Sequence, residues 1–212
     1  MTVLDRALLT SGMAAPLVYA VADVLAGRLW AGYSFRDQTI SELGAIGAPS
    51  RVAFSILLLL VYLLMVAFGV GIWQVSDGNR RLKAVGGLII GLGVLALTVG
   101  QFAAMRMRGI EQGLAGTLHL VEGMVAMLLV FTSMGIAATA LGRRFRVYTI
   151  VTIAFALVFG AWSTLDVSRV ERDWPTPWLG VKERVFWYGY QSWYIVLALA
   201  LLGRRNFRAA AE

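Results

Sequence analysis

His119 is the chain's only histidine, and Glu122 follows it three residues later inside an otherwise apolar run. On a helix that spacing puts both on one face. There an imidazole and a carboxylate can shuttle a proton or help to hold a metal ion. Asp23 sits in a second apolar run, with Ser41 and Glu42 in the stretch that follows it. Acids with one histidine can act as general acid and base, or ligate a hard divalent cation such as Mg²⁺ or Ca²⁺. Zinc fits less well, with one histidine and no cysteine. Ser41 is a nucleophile candidate only if His119 comes within hydrogen-bond reach. Asp166, Glu183, Arg184 and Arg106 complete the polar set as candidate ligand-binding groups. Glu183 and Arg184 are adjacent and cannot pair well on one helix, so each is expected to reach a partner such as Arg106 or Asp166.

These residues are embedded in, or flank, six apolar stretches: 7–30, 52–75, 84–105, 116–141, 147–166 and 185–203. A bilayer core takes about 20 apolar residues per helix, so each stretch qualifies as a span. The 212 residues are 59% hydrophobic and 15% charged, a composition too apolar for a soluble domain of this length. The expected fold is therefore all-α: a polytopic six-transmembrane-helix bundle, with residues 1–212 forming one transmembrane domain. The formal charge of +7 does not indicate a nucleic-acid partner, because the basic residues fall in short clusters between spans and lack a recognition fold. The partner that composition implies is the lipid bilayer. The absence of cysteine excludes disulfides, thiolate metal sites and cysteine nucleophiles.

The links at 76–83 and 142–146 are short and basic, as is the tail carrying Arg204, Arg205 and Arg208. With an even number of spans these segments share a side with the N-terminus. Dense basic clusters nearly free of acids mark the cytoplasmic side. Both termini are predicted to be cytoplasmic, in a cell (inner or plasma) membrane. The candidate polar residues then gather near the outer face, and polar groups in hydrocarbon are costly enough that such gathering points to a site. Asp23 would lie about 10 Å below the outer end of its span. It should be paired, protonated or facing protein or water. Arg6 and the Ala20-Val21-Ala22 run before Asp23 also resemble a cleavable signal peptide, but the apolar run continues to Trp30 and makes a full span.

Finer signals place the ends and faces. Thr39 and Glu42 match a capping box for a short surface helix. Ser50 is a natural N-cap for the second span. Thr176 with Pro177 predicts an early start for the last one. Gly86, Gly93 and Gly100 recur every seven residues, and Gly87 with Gly91 forms a GxxxG, so close helix approach is expected there. Gln191 is expected to make a helix–helix hydrogen bond.

Three segments, TISELGA (39–45), HLVEGM (119–124) and GVKERVFWYGYQSW (180–193), together resemble a prokaryotic membrane family, the domain of unknown function 998. The matching positions are Ser41, Glu42, Leu43, Gly44, His119, Glu183 and Arg184. The chain departs from the pattern near the start of the second span, where Ala53-Phe54-Ser55 stands and an asparagine is expected nearby. The resemblance implies an integral membrane protein with six helices and supplies no catalytic role.

Three functions compete on this reading. One is an outward-facing intramembrane site that binds or processes a lipid headgroup or small amphiphile. Another is a small-solute or proton-coupled transporter, although no inverted repeat or pair of broken spans is evident. The third is a non-catalytic membrane assembly protein whose charges lock the bundle. The first predicts that His119, Glu122, Glu42 and Asp23 converge on one pocket.

Overall fold

The computed structural model describes residues 1–209, with side chains described for residues 1–203. The side chains of Arg204, Arg205 and Arg208, assigned above to the inner basic cluster, lie outside the described residues. The elements are α1 (Val3–Leu29), α2 (Ile40–Leu43), α3 (Arg51–Gln74), α4 (Arg80–Thr98), α5 (Gly113–Ala140), α6 (Arg143–Thr164), α7 (Val167–Glu171) and α8 (Leu179–Ala209). Among the described residues there is no strand, only an isolated bridge between Ile46 and Arg106. Six helices are long and apolar enough to cross a membrane: α1, α3, α4, α5, α6 extended through α7, and α8. The protein is a multi-pass, all-helical membrane protein.

The spans form a closed ring. α1 packs on α3, α3 on α4, α4 on α5, α5 on α6, α6 on α8, and α8 returns to α1. Short turns make sequence neighbours antiparallel neighbours, and the contact between first and last closes the circle. The outward faces are apolar. On α6 only 11% of the most apolar window is buried, leaving Val147, Ile150, Val151, Leu157 and Val158 exposed. A face of that size is stable against hydrocarbon and a liability in water.

Polar pairs and small residues hold the ring. Trp193 is fully buried and donates its indole N–H to Thr149 Oγ at 3.0 Å, tying α8 to α6. Between α3 and α4, Gly86 and Gly93 make the contact. A Cβ added at Gly86 would lie 2.7 Å from Gly69 O, and one at Gly93 would lie 2.6 Å from Val66 Cγ2. Of the GxxxG pair, a Cβ at Gly87 would meet the Trp73 ring of α3 at 3.2 Å and one at Gly91 meets nothing within 4 Å; Gly100 lies past the end of α4 against Ala96, so Gly86 and Gly93 mark the closest face. Gly86→Ala must push two backbones apart and is expected to cost about 1–3 kcal/mol, read as a lower unfolding free energy in mixed micelles. Gly91→Ala should be neutral in the same assay.

Three ends differ from the hydropathy pattern. α4 stops at Thr98, and the segment to Gln112 folds as a loop organised by Gln112. The Gln112 amide accepts from Arg106 N at 2.8 Å and donates to the carbonyls of Arg106 and Ile110, each at 3.1 Å. α8 begins at Leu179: Thr176 donates its hydroxyl to Asp37 O at 2.8 Å, and Trp178 adopts a left-handed φ of 67°. Ser50 makes no side-chain cap. Its hydroxyl donates to Leu43 O at 2.9 Å, tethering α2 to the start of α3.

Candidate functional site

Arg184, one turn and a half into α8, is the most heavily bonded side chain at the loop end of the ring. Its Nε and Nη2 grip Asp23 of α1 as a fork, at 2.9 and 2.7 Å. Nη1 donates to the carbonyls of Phe35, Gln38 and Gly180 at 2.8, 3.0 and 3.1 Å, and Nη2 also reaches Tyr33 Oη at 2.7 Å. Tyr188, four residues further along the same face, donates to Asp23 Oδ2 at 2.5 Å. Every donor of the guanidinium is used and both carboxylate oxygens are occupied. This group closes the ring and fixes the loop after α1, and its two charges neutralise each other.

Glu42 has a parallel arrangement. The capping box with Thr39 forms as the sequence predicts, and Arg108 from the α4–α5 loop adds a second fork, Nε to Oε1 at 2.9 Å and Nη2 to Oε2 at 3.1 Å. Glu42 is fully buried. Glu183 accepts the Ile40 N–H and the Ser41 hydroxyl, the latter at 3.2 Å, so it caps α2 from α8. α2 is thus pinned from three sides. At the surface, Asp166 is bridged by Lys182 at 2.8 Å.

In the loops, two shifted groups follow from these pairs. Arg36's guanidinium, with the Trp178 backbone N–H, holds the Asp37 carboxyl below the usual aspartate value. Partial burial works to lower the Arg108 value, and its contact with Glu42 outweighs this and raises it.

Inside the ring lies a cavity of about 230 Å³, lined by α1, α2, α3, α4, α5, α8 and the loop after α4. Helical spacing turns whole faces toward it: Arg51, Ser55, Leu58 and Tyr62 on α3; His119, Glu122, Gly123 and Ala126 on α5; Trp187, Tyr190, Gln191 and Tyr194 on α8. Ile40, Ser41 and Gly44 of α2 cover one part of it. The His119 Nδ1 lies 2.9 Å from Ala103 O. A carbonyl only accepts, so Nδ1 carries a proton, while Nε2 has no partner among the described residues.

The lining is unusual in what it leaves unpaired. Among the described residues, neither the Glu122 carboxylate nor the Arg51 guanidinium has a hydrogen-bond or ion-pair partner, and the two do not bridge each other. The buried Tyr194 hydroxyl has none either, and the same holds for the hydroxyls of Tyr62 and Tyr190 and the Gln191 amide. Each such group is costly at membrane depth unless something polar meets it.

A family model described as Protein of unknown function (DUF998) matches residues 13–200. The chain belongs to this family. No curated protein matches the chain, and no solved structure does. The stretch matched by the DUF998 model holds every cavity-lining residue named above and both arginine forks.

Within this DUF998 member the candidate residues divide into two sets. His119, Glu122 and Ser41 line the cavity. Asp23 and Glu42 do not, because each is bound in a fork with an arginine, so the four-residue convergence of His119, Glu122, Glu42 and Asp23 does not form. Glu122 and His119 share a face and a cavity without bonding each other. Arg106 does not pair with Glu183 or Arg184: its side chain is exposed, while Arg108 makes the buried contact. Asp166 takes Lys182 in place of Arg184. Among the described residues no three acids or histidines gather as ligands of one metal ion. Arg51, Tyr62, Tyr190 and Tyr194 are the lining residues that sequence reasoning missed. A cation in the first turn of a helix opposes the helix dipole, and that mismatch at Arg51 was the available signal.

Proposed function

We propose that this membrane protein binds a small amphiphile, such as a lipid headgroup with part of its chain, in the cavity enclosed by the helix ring. The observation that carries this reading is the set of unpartnered polar groups facing one cavity: Glu122, Arg51, the His119 Nε2 and the tyrosine hydroxyls. Two of them carry formal charge, and apolar side chains such as Leu58, Val61, Met65 and Met127 line the rest. A polar end beside an apolar wall is the recognition pattern of an amphiphile. Binding is favoured over nucleophilic chemistry because the Ser41 hydroxyl donates to Glu183 and makes no hydrogen bond with His119.

In this proposal residues 1–212 form one transmembrane domain in the cell membrane, with both termini cytoplasmic and the cavity in the outer half. The exposed Arg80, Lys83, Arg143 and Arg144 beside the two short turns support that orientation.

Gly123 supplies the test. It lines the cavity, and a Cβ there meets nothing within 4 Å, so Gly123→Phe fills the space without a clash at its base. A membrane-lipid extract added to maltoside-purified wild-type protein at a hundredfold excess over Kd is expected to raise its unfolding temperature by roughly 5–10 °C. The Gly123→Phe protein should show no shift. Equal shifts in both proteins, or none in either, would remove the reading.

A further inference from the structure

We infer that the occupant of the cavity is a zwitterion: an organic ammonium held at Glu122 among aromatic faces, with its anionic group at Arg51. The inference rests on the amphiphile reading above and adds the charge pattern of the headgroup.

The acid comes first. Asp23, Glu42 and Asp166 each have a cation bridged to them, and Glu183 accepts two donors from α2. Glu111, Glu171 and Asp173 are exposed loop-end acids. Glu122 is half-buried in the cavity lining and meets no donor among the described residues. It lines the cavity from α5, in the same lining as Tyr62 of α3 and Tyr190 of α8.

The walls around it are aromatic. Tyr19 stacks on Trp187 with ring centroids 5.8 Å apart, Trp187 lies 5.3 Å from Tyr190, and Tyr190 lies 6.3 Å from Tyr194. With Tyr62 opposite, these rings line the same cavity as Glu122. Electron-rich faces beside a carboxylate form the environment that recognises alkylated ammonium groups. A neutral occupant would leave Glu122 without a counter-charge, and a purely anionic one would sit against it.

Arg51 completes the pattern. It opens α3 at the loop end, while Tyr62 lies about 16 Å further along the helix. It is half-buried, lines the cavity and bridges no acid. A phosphate or carboxylate there would take the planar fork that guanidinium offers. One zwitterion satisfies both orphan charges without adding net charge to the membrane interior.

The test uses the full chain purified in maltoside, with calorimetric titration of choline, inorganic phosphate, phosphocholine, lysophosphatidylcholine and lysophosphatidic acid below its micellar concentration. Phosphocholine is expected to bind at least tenfold more tightly than choline or phosphate alone. Glu122→Gln should weaken choline and phosphocholine at least tenfold and leave phosphate unchanged, whereas Arg51→Gln should weaken phosphate and phosphocholine at least tenfold and leave choline unchanged. A further gain with lysophosphatidylcholine over phosphocholine identifies a lipid as the source, and equal affinity identifies a free small zwitterion. Because the wild-type probe series stands alone, a variant that fails to fold does not spoil the comparison. Lysophosphatidic acid binding as tightly as lysophosphatidylcholine would overturn the ammonium assignment and leave the amphiphile reading intact. No binding by any of the probes, together with no response to lipid extract, would overturn both.

Discussion

Asp23→Ala is expected to destabilise the protein by about 3–5 kcal/mol, the cost of leaving a buried charge without its partner. The magnitude follows from where the fork sits. The side chains of Asp23 and Arg184 are only 2% and 12% exposed. Removing the carboxylate leaves the guanidinium to neutral acceptors, the carbonyls of Phe35, Gln38 and Gly180 and the Tyr33 hydroxyl. It also strips Tyr188 of its acceptor. The fork is part of the α1–α8 seam that closes the ring, so the loss falls on the closure itself. Asp23→Asn should cost less, because the amide oxygen still accepts one donor. The double variant Asp23→Ala, Arg184→Met should cost less than the sum of the two single changes, since no charge is then stranded. Unfolding in mixed micelles measures all four proteins. Strict additivity, or a loss in Asp23→Ala below about 1 kcal/mol as for an exposed pair, would show that the fork does not hold the ring.

Much of this fold is legible in the residues because a bilayer imposes one strong length rule. Each of the six apolar runs became a span; of the short basic links, only 75–79 and 141–142 are turns, and their basic residues open α4 and α6. The capping box at Thr39 and Glu42 is local and was readable for the same reason: its partners are three residues apart. The pairing of charges is a different problem. Asp23 and Arg184 lie at opposite ends of the chain and meet only because the ring closes between α1 and α8, which no helical periodicity encodes. Arg106 and Arg108 are two residues apart in one loop, and only the loop's fold, set by the Gln112 amide, selects Arg108 for Glu42. The cavity was half legible. The shared face of His119 and Glu122 follows from spacing, whereas the absence of any partner for Glu122 or Arg51 is a property of all the surrounding helices together.

The Glu42 fork carries the second large effect, and it separates two roles that the sequence pattern merges. If Glu42 served only the capping box, Arg108→Ala would cost no more than about 1 kcal/mol, as for a surface pair. The structure gives Arg108 a larger part. Glu42 accepts from Thr39 N at 2.7 Å, Thr39 Oγ at 3.0 Å and Gln38 Nε2 at 3.3 Å, yet these donors do not neutralise a fully buried carboxylate. Arg108 does, from a side chain 18% exposed. Glu42→Ala and Arg108→Ala are therefore each expected to cost about 3 kcal/mol, near the lower end for breaking a buried pair. Glu42→Gln should be nearly as harmful as Glu42→Ala, because its amide NH₂ would face the guanidinium donor to donor. The consequence reaches the cavity. Ile40, Ser41 and Gly44 of α2 line it, and Glu42 is the central residue of that four-residue helix's anchorage. Arg108→Ala, whose side chain is absent from the lining, should therefore weaken amphiphile binding as well as stability. If binding survives at wild-type strength in a destabilised Arg108→Ala protein, α2 is a bystander to the cavity and its pinning serves the bundle alone.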